Sequence, residues 1–212
     1  MFTDIKNKSI ILVGAGGHGK VVLDALLCLG ISPENIFVSD SNKQMQTKTL
    51  LGLPIHFQDL EPFILNMSFH IAIGDCLSRE RMGVKLLTLG GSIMTVMHPS
   101  AVVSSAARVD EGVFLAANSI VAPDASVGIG TILNHSCVVD HDCVVGQYSH
   151  IAPLASLGGG VSVGNRVLVG AGARILPGIK IGDDAVIGAG AVVSRDVALR
   201  EIVVGIPAKS VK

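Results

Sequence analysis

The stretch NHSCVVDHDCVVGQYSH, residues 134–150, concentrates side chains that can move protons or bind metals within an otherwise apolar region. His141 lies between Asp140 and Asp142. A carboxylate that accepts an imidazole N–H fixes the tautomer of the ring and raises its basicity. Because a general base that works near pH 7 needs such a ring, His141 is the predicted base and a neighbouring aspartate its partner.

Two other interpretations of this cluster stay open. Ser136 or Ser149 would complete a nucleophilic triad with a histidine and an aspartate, although serine also suits tight bends for reasons of packing. His135, His141 and His150 have the ring nitrogens of a three-histidine zinc site. Their spacings of six and nine residues spread the rings apart, so we expect no metal within one chain and keep only a zinc site shared between chains as the rival.

A glycine-rich stretch near the start, GAGGHGK at residues 14–20, follows the apolar run SIILV and fits G-x-G-x-x-G, with Asp40 about twenty residues further on. The N-terminus of a helix after such a turn offers unpaired N–H groups to an anion, and His18 adds a donor there. Gly74 follows a later strand and is expected at the same edge of the sheet. The motif predicts a phosphate-bearing ligand, and Asp40 suits either a ribose hydroxyl or base edge or an ordinary turn.

Alternating β and α patterns precede residue 96 and must position this loop. The predicted strands cover residues 9–13, 35–39, 69–73 and 92–96, and the predicted helices cover residues 17–29 and 78–89. Such a unit has room for about half of a two-lobed Rossmann domain. A nicotinamide dinucleotide is therefore disfavoured, and a smaller nucleotide is expected.

From residue 96 to residue 197 the sequence divides into seventeen hexads without an insertion. The second position of each hexad is an aliphatic residue and the sixth is usually small, which predicts one short strand and one bend per hexad, with glycine or aspartate near the third position easing the bend. Three hexads per coil would stack as a solenoid. Cys137 and Cys143 occupy sixth positions and are predicted to be packing residues.

Composition excludes several classes of protein. The formal net charge of −1 comes without a basic run or interleaved aromatic residues, so nucleic-acid binding is not expected. No apolar stretch reaches the roughly twenty residues that a membrane-spanning helix needs. The four cysteines show no C-x-x-C spacing, which favours reduced thiols and a cytoplasmic protein.

The hexad repeat resembles that of left-handed parallel β-helix acyltransferases. Together with ILVGAGGHGKVV, DHDCVVGQYSHIAP and VVGIPAK, it is similar to the sugar O-/N-acyltransferases of the sialic-acid and bacillosamine pathways. The expected fold is an α/β half-Rossmann domain at residues 1–95, an all-β left-handed parallel β-helix at residues 96–198, and a C-terminal tail at residues 199–212. The left hand comes from the resemblance.

The resemblance implies a homotrimer, with acetyl-CoA in the groove between neighbouring prisms and a nucleotide sugar on the N-terminal domain. His141 would be the general base and Asp142 the residue that enhances its basicity, although a shorter side chain than the glutamate of some relatives leaves Asp140 as a substitute. The residues matching the acetyl-CoA site are Asn134, His150, Gly159, Ala171, Ala189 and Lys209. The residues matching the nucleotide-sugar site are Gly16, Gly17, His18, Asp40 and Gly74.

The expected reaction is direct transfer of an acetyl group from acetyl-CoA to the amine of a UDP-4-amino-4,6-dideoxy sugar, without a metal. O-acetylation of sialic acid or another sugar is the alternative within the enzyme class. A structural hexapeptide-repeat assembly protein is the alternative outside it.

Overall fold

The computed structural model describes residues 9–57, 60–64 and 67–211. These residues form two compact units, one ending at Pro99 and the other beginning at Ser100. Each unit has its own architecture.

The N-terminal unit is a largely parallel sheet with a helix on either side. Its strands are β1 (Ile10–Val13), β2 (Ile36–Ser39), β3 (Thr49–Leu50), β4 (Leu53–His56), β5 (Ser68–Ile71) and β6 (Ser92–Ile93), in the order β3-β4-β2-β1-β5-β6. The helices are α1 (Gly17–Cys28) and α2 (Cys76–Thr88). Short 3-10 turns lie at Pro33–Asn35, Lys43–Met45 and Glu61–Phe63. One side of the sheet packs a core that includes Ile11, Phe69 and Leu86.

The sheet positions the glycine-rich loop at the carboxyl end of its central strand. β1 pairs in parallel with both β2 and β5, so the segments that follow these three strands meet at one edge. The predicted strands and helices are present with slightly shifted ends, but the antiparallel pair β3–β4 was not predicted. It turns through Leu51 and Gly52, both with positive φ, and a leucine in that conformation gives no signal in the sequence.

The C-terminal unit is a parallel β-helix whose strands begin every six residues. After β7 (Val96–Met97), which still belongs to the N-terminal unit, they are β8 (Val102–Val103), β9 (Arg108–Val109), β10 (Phe114–Leu115), β11 (Ile120–Val121), β12 (Ser126–Val127), β13 (Ile132–Leu133), β14 (Val138–Val139), β15 (Val144–Val145), β16 (His150–Ile151), β17 (Ser156–Leu157), β18 (Ser162–Val163), β19 (Leu168–Val169), β20 (Arg174–Ile175), β21 (Lys180–Ile181), β22 (Val186–Ile187) and β23 (Val192–Val193). Strands three apart pair in parallel, as in Ile120 with Val138. Three hexads per coil is therefore confirmed.

Three sheets form the faces of the prism. Face A contains β10, β13, β16, β19 and β22; face B contains β8, β11, β14, β17, β20 and β23; face C contains β9, β12, β15, β18 and β21. The chain runs from A to B to C, so corner AB, corner BC and corner CA lie between them. Corner BC is opposite face A. In the last part of the chain, β24 (Ile202–Val204) extends face A in parallel and β25 (Lys209–Ser210) adds an antiparallel edge.

The hexad positions have distinct structural roles. Second-position residues such as Leu133 and Ile151 are fully buried, and Cys137 and Cys143 at sixth positions are also fully buried, as predicted. The sequence predicted that glycine or aspartate near the third position eases the bend, and the third residue does begin the turn, because its carbonyl accepts the N–H of the sixth residue, as in Asn134 with Cys137. Positive φ occurs at the fifth position, as in Asp142, whereas third-position glycines such as Gly170 lie so close to the next coil that a β-carbon would meet its backbone.

Candidate functional site

His141 and Asp142 form the exposed pair that the sequence predicted, at corner BC. The Nδ1 atom of His141 lies 2.7 Å from Oδ2 of Asp142. Because the carboxylate accepts the Nδ1–H, the lone pair of Nε2 stays available for a proton. This hydrogen bond, with a further contribution from the charge of Asp140, raises the pKa of His141 above its usual value.

Asp142 reaches the ring without the extra methylene of a glutamate. Its left-handed backbone, with φ of 59°, places the carboxylate beside the preceding side chain. Asp140 does not act as the substitute, because its Oδ1 accepts the backbone N–H of His141 at 2.8 Å. The two aspartates therefore have different roles. Asp142 orients the ring of His141, and Asp140 binds the backbone N–H of the same residue.

Gly159 lies one coil further along the same corner, against the ring of His141. A β-carbon at Gly159 would fall 2.5 Å from both Cε1 and Nε2 of the ring. Among the hydrogen bonds of the described residues, none is donated by the Gly159 N–H. Gly159 therefore packs against the ring that carries the basic nitrogen, and it keeps a backbone N–H of the kind that oxyanion-stabilising sites use.

Asn134 and His150 form a second polar pair, at corner AB and on the adjoining face A. The Oδ1 of Asn134 accepts the backbone N–H of His135 at 2.9 Å, so the amide nitrogen faces the other way. That nitrogen lies 3.1 Å from Nε2 of His150. Since an amide N–H donates, Nε2 must accept, and the neutral His150 ring carries its proton on Nδ1.

The three-histidine zinc site and the triad with Ser149 both lose support in one chain. His135 lies at corner AB, His141 at corner BC and His150 on face A, so the prism does not gather the three rings. The hydroxyl of Ser149 is buried, donates to the Gly164 carbonyl and accepts the Val167 N–H. Ser149 is thus a packing residue.

Some backbone donors at the fourth hexad position lie outside the backbone ladder, although side-chain oxygens accept those of His135 and His141. The ladder engages the N–H groups of the first, third, fifth and sixth positions, whereas no backbone bond of the described residues uses the N–H groups of Gly159, Ala171 or Ala189. Proline occupies the same position at Pro123, Pro153 and Pro177, where no N–H is needed. Ala171 and Ala189 are exposed one coil apart on corner AB, about 4.8 Å from each other along the prism axis. Lys209 lies exposed in the edge strand β25.

The glycine-rich loop connects β1 to α1 and is tied to β2 by Asp40. The carboxylate of Asp40 accepts the Ala15 N–H through Oδ2 and the Asn42 N–H through Oδ1, both at 2.8 Å. Asp40 therefore has a turn role, and it also lines an apolar cavity of about 310 Å³ beside α2. Gly16 and Gly17 are exposed, and a β-carbon at either would meet nothing within 4 Å.

His18 lies half-buried in the first turn of α1, and Gly74 lies half-buried after β5. Arg79, which the sequence analysis missed, is buried in α2 and donates to the carbonyls of Ile73 and Gly74 at 2.8 and 2.9 Å. Asp75 caps the same helix by accepting the Ser78 N–H. A lone arginine in a helical pattern gives no signal that it is buried.

Two family models match the chain. The PglD N-terminal domain family covers residues 9–86, and the bacterial transferase hexapeptide family, with six repeats, covers residues 160–195. Perosamine N-acetyltransferase of Caulobacter crescentus, solved with CoA and GDP-perosamine, is 36% identical, with a TM-score of 0.89 over 97% of this chain and 98% of that one. The chain belongs to the hexapeptide-repeat sugar N-acetyltransferase family.

Two further members of this family are similar to the chain. The acetyltransferase domain of PglB from Neisseria gonorrhoeae is 29% identical, with a TM-score of 0.89 over 97% of this chain and 100% of that domain, and it has also been solved with acetyl coenzyme A. UDP-N-acetylbacillosamine N-acetyltransferase of Bacillus subtilis is 32% identical over 112 residues, so the match spans about half the length of that curated relative and 52% of this chain.

Family membership confirms the fold expected from the sequence. The N-terminal α/β unit and the hexapeptide β-helix both have counterparts in the sugar N-acetyltransferases. No helix within the described residues is long and apolar enough to cross a membrane.

Proposed function

We propose that the protein is an acetyl-CoA-dependent N-acetyltransferase that acts on the amino group of a nucleotide-linked 4-amino-4,6-dideoxy sugar. The observation that carries the proposal is the arrangement at corner BC, where Asp142 accepts a hydrogen bond from His141 and Gly159 packs against the same ring. The relatives solved with CoA and a GDP-linked amino sugar, or with acetyl coenzyme A, support the choice of substrates.

His141 acts as the general base through Nε2, because Nδ1 carries the proton donated to Asp142. The sugar amine loses a proton to Nε2 as its nitrogen attacks the carbonyl carbon of the thioester. The carbonyl electrons move to oxygen, and the Gly159 N–H stabilises that charge. When the intermediate collapses, the C–S bond breaks, the amide forms, and the imidazolium returns the proton to the departing thiolate. No covalent acyl-enzyme is needed.

The raised pKa of His141 suits this cycle. A more basic ring accepts a proton from an amine more readily, and transfer of that proton to the departing thiolate leaves the ring neutral for the next cycle. The free amine is the nucleophile, which makes an amino sugar a better acceptor here than a hydroxyl group.

Corner AB would hold the other part of acetyl-CoA. The exposed N–H groups of Ala171 and Ala189 repeat along the prism at a spacing that suits the amide groups of the pantetheine arm. Asn134 and His150 lie at the reacting end of this row, where His150 donates through Nδ1. Lys209 lies in β25, beyond Ala189, and suits the CoA phosphates.

The nucleotide sugar would bind the N-terminal unit. The open backbone of Gly16 and Gly17 at the start of α1 suits the pyrophosphate, with His18 beside it. Asp40 lines the apolar cavity of about 310 Å³, which suits a nucleobase or ribose, and Gly74 follows the neighbouring strand. We infer UDP as the nucleotide, with GDP as the rival because the family includes both kinds of enzyme.

The site requires more than one copy of the chain. His141 lies at corner BC, on the opposite side of the prism from His150 on face A, so one prism cannot present both to a single thioester. A homotrimer, with acetyl-CoA between corner BC of one prism and corner AB of the next, brings them together. We also propose a cytoplasmic location, which the cysteine spacing in the sequence favours.

The proposal is tested by thiol release from acetyl-CoA with a panel of UDP-, dTDP- and GDP-4-amino-4,6-dideoxy sugars and free sialic acid. Release with one amino-sugar nucleotide, lost by orders of magnitude in His141→Ala, is the expected result. Release only with sialic acid would assign O-acetylation. Failure of every acceptor, together with absence of CoA binding, would favour a structural protein.

A further inference from the structure

Three side chains of the N-terminal unit converge away from the residues discussed above. One carboxylate oxygen of Asp24, the Sγ of Cys28 and one ring nitrogen of His98 all lie within 4.8 Å of one another. Asp24 and Cys28 are four residues apart on α1 and therefore share one face of the helix. His98 follows β7, so two elements that are distant in sequence bring three different ligand types to one point.

The types of donor atom select the metal. Thiolate sulfur suits zinc and copper(I), imidazole nitrogen suits several transition metals, and carboxylate oxygen suits hard cations as well as zinc. Zn²⁺ binds all three, with bond lengths of about 2.0–2.3 Å, and such bonds place the ligand atoms of a tetrahedron about 3.3–3.8 Å apart. Ligand atoms that lie within 4.8 Å of one another must therefore approach by at most about 1.5 Å. Asp24 and Cys28 are exposed, so rotation of their side chains achieves this without a change in the backbone.

We propose that Asp24, Cys28 and His98 bind one Zn²⁺ ion, with water as the fourth ligand. The ion joins the last turns of α1 to the segment after β7, at the end of the N-terminal unit. None of the three ligands is among the residues assigned to acetyl transfer. The role is a structural one, in which metal binding stabilises the folded unit.

Cobalt(II) tests the site, because Co²⁺ takes zinc positions and reports a thiolate ligand by a sulfur-to-cobalt charge-transfer absorption in the near ultraviolet. The reduced full-length protein is treated with a chelator and then titrated with Co²⁺. We expect a charge-transfer band that saturates at one equivalent and disappears when Zn²⁺ is added. Zn²⁺ should also raise the midpoint of thermal unfolding of the wild-type protein.

Variants separate this site from other thiols. Cys28→Ser should abolish the band and the Zn²⁺-dependent rise in the unfolding midpoint, and Asp24→Asn should weaken Co²⁺ binding by about tenfold or more, as loss of one of three ligands requires. Cys76→Ser is the control, because Cys76 belongs to the same unit, forms no disulfide and lies outside the cluster, and the substitution should leave the band unchanged. Absence of a band in the wild-type protein, or its persistence in Cys28→Ser, would overturn the proposal.

Discussion

Gly159 lies directly against the imidazole of His141, so closely that a β-carbon at position 159 would fall 2.5 Å from two atoms of the ring. Glycine at this position does two things at once. It leaves room for the ring orientation that the Asp142 hydrogen bond fixes, and among the described residues its own N–H donates no backbone hydrogen bond. The base and the oxyanion donor are therefore positioned by the stacking of neighbouring coils.

Gly159→Ala is expected to lower kcat/KM by about 100-fold, because a methyl group displaces the ring from its reactive position. The N–H of residue 159 is retained, so the loss reports the ring and not the donor. Gly178→Ala is the matched control on the same corner: its β-carbon meets nothing within 4 Å, and its positive φ of 75° costs stability without touching His141. Equal activity losses in the two variants would contradict the role of Gly159.

Asp142→Asn is expected to move the acid limb of the kcat/KM profile to lower pH. The Asp142 hydrogen bond raises the pKa of His141, and activity requires the neutral ring, so the wild-type rate rises with pH through that raised pKa. Without the carboxylate charge the pKa falls, and the less basic ring lowers the plateau by about tenfold or more. Asp140→Asn, which keeps an oxygen for the His141 N–H, should change the profile less. An unmoved limb in Asp142→Asn would argue against the pair.

Asn134→Asp is expected to invert the tautomer of His150. A carboxylate beside Nε2 draws the proton to that nitrogen, so Nδ1 loses its N–H and can no longer donate to the thioester. Nitrogen-15 chemical shifts of the His150 ring report the tautomer directly, and kcat/KM should fall without a change in the unfolding midpoint. Observation of an Nε2–H tautomer in the wild-type protein would contradict the assignment.

His70→Asn is expected to make the N-terminal unit more resistant to acid. Burial lowers the pKa of His70 to about 4 in the folded protein, against an ordinary value of 6.5. Below pH 6.5 the unfolded chain therefore binds a proton at His70 that the folded chain does not bind. The free energy of unfolding falls progressively down to about pH 4, in total by about 3 kcal/mol. Asparagine keeps an N–H for the Met94 carbonyl, which His70 contacts at 2.9 Å, but it does not titrate. Urea unfolding of both proteins between pH 7 and pH 4, values that span this window, checks the prediction. Equal losses of unfolding free energy in the two proteins over this range would contradict it.

Hexad periodicity predicted the β-helix well because every coil repeats the same local rule. Each hexad needs an inward residue such as Ile151 and a small sixth residue such as Cys137, so a wrong assignment in one hexad does not change the assignment of the others. The β3–β4 pair was not predicted from the sequence, because its turn depends on Leu51 in a left-handed conformation, which leucine rarely adopts. The burial of Arg79 was also not predicted, because its partners are backbone carbonyls that only the folded loop brings together.

The pairing of functional residues was predictable only where they are neighbours in sequence. His141 and Asp142 are adjacent, and their hydrogen bond was expected. Gly159 reaches His141 across one coil of eighteen residues, and Asn134 reaches His150 across sixteen, so contacts of this kind depend on the stacking geometry. The sequence alone could not assign the His150 proton, because the orientation of the Asn134 amide is set by the backbone N–H of His135.

Acetyl transfer in the proposed site needs His141 of one copy together with His150 of another, and subunit complementation tests this requirement most directly. His141→Ala and His150→Ala chains are each expected to be nearly inactive alone. If they assemble at random into mixed trimers, about a quarter of the sites combine an intact His141 with an intact His150 from the neighbouring copy, and that fraction of wild-type activity should return. If trimers of mixed composition form and no activity returns, both residues act within one chain and the shared site is wrong.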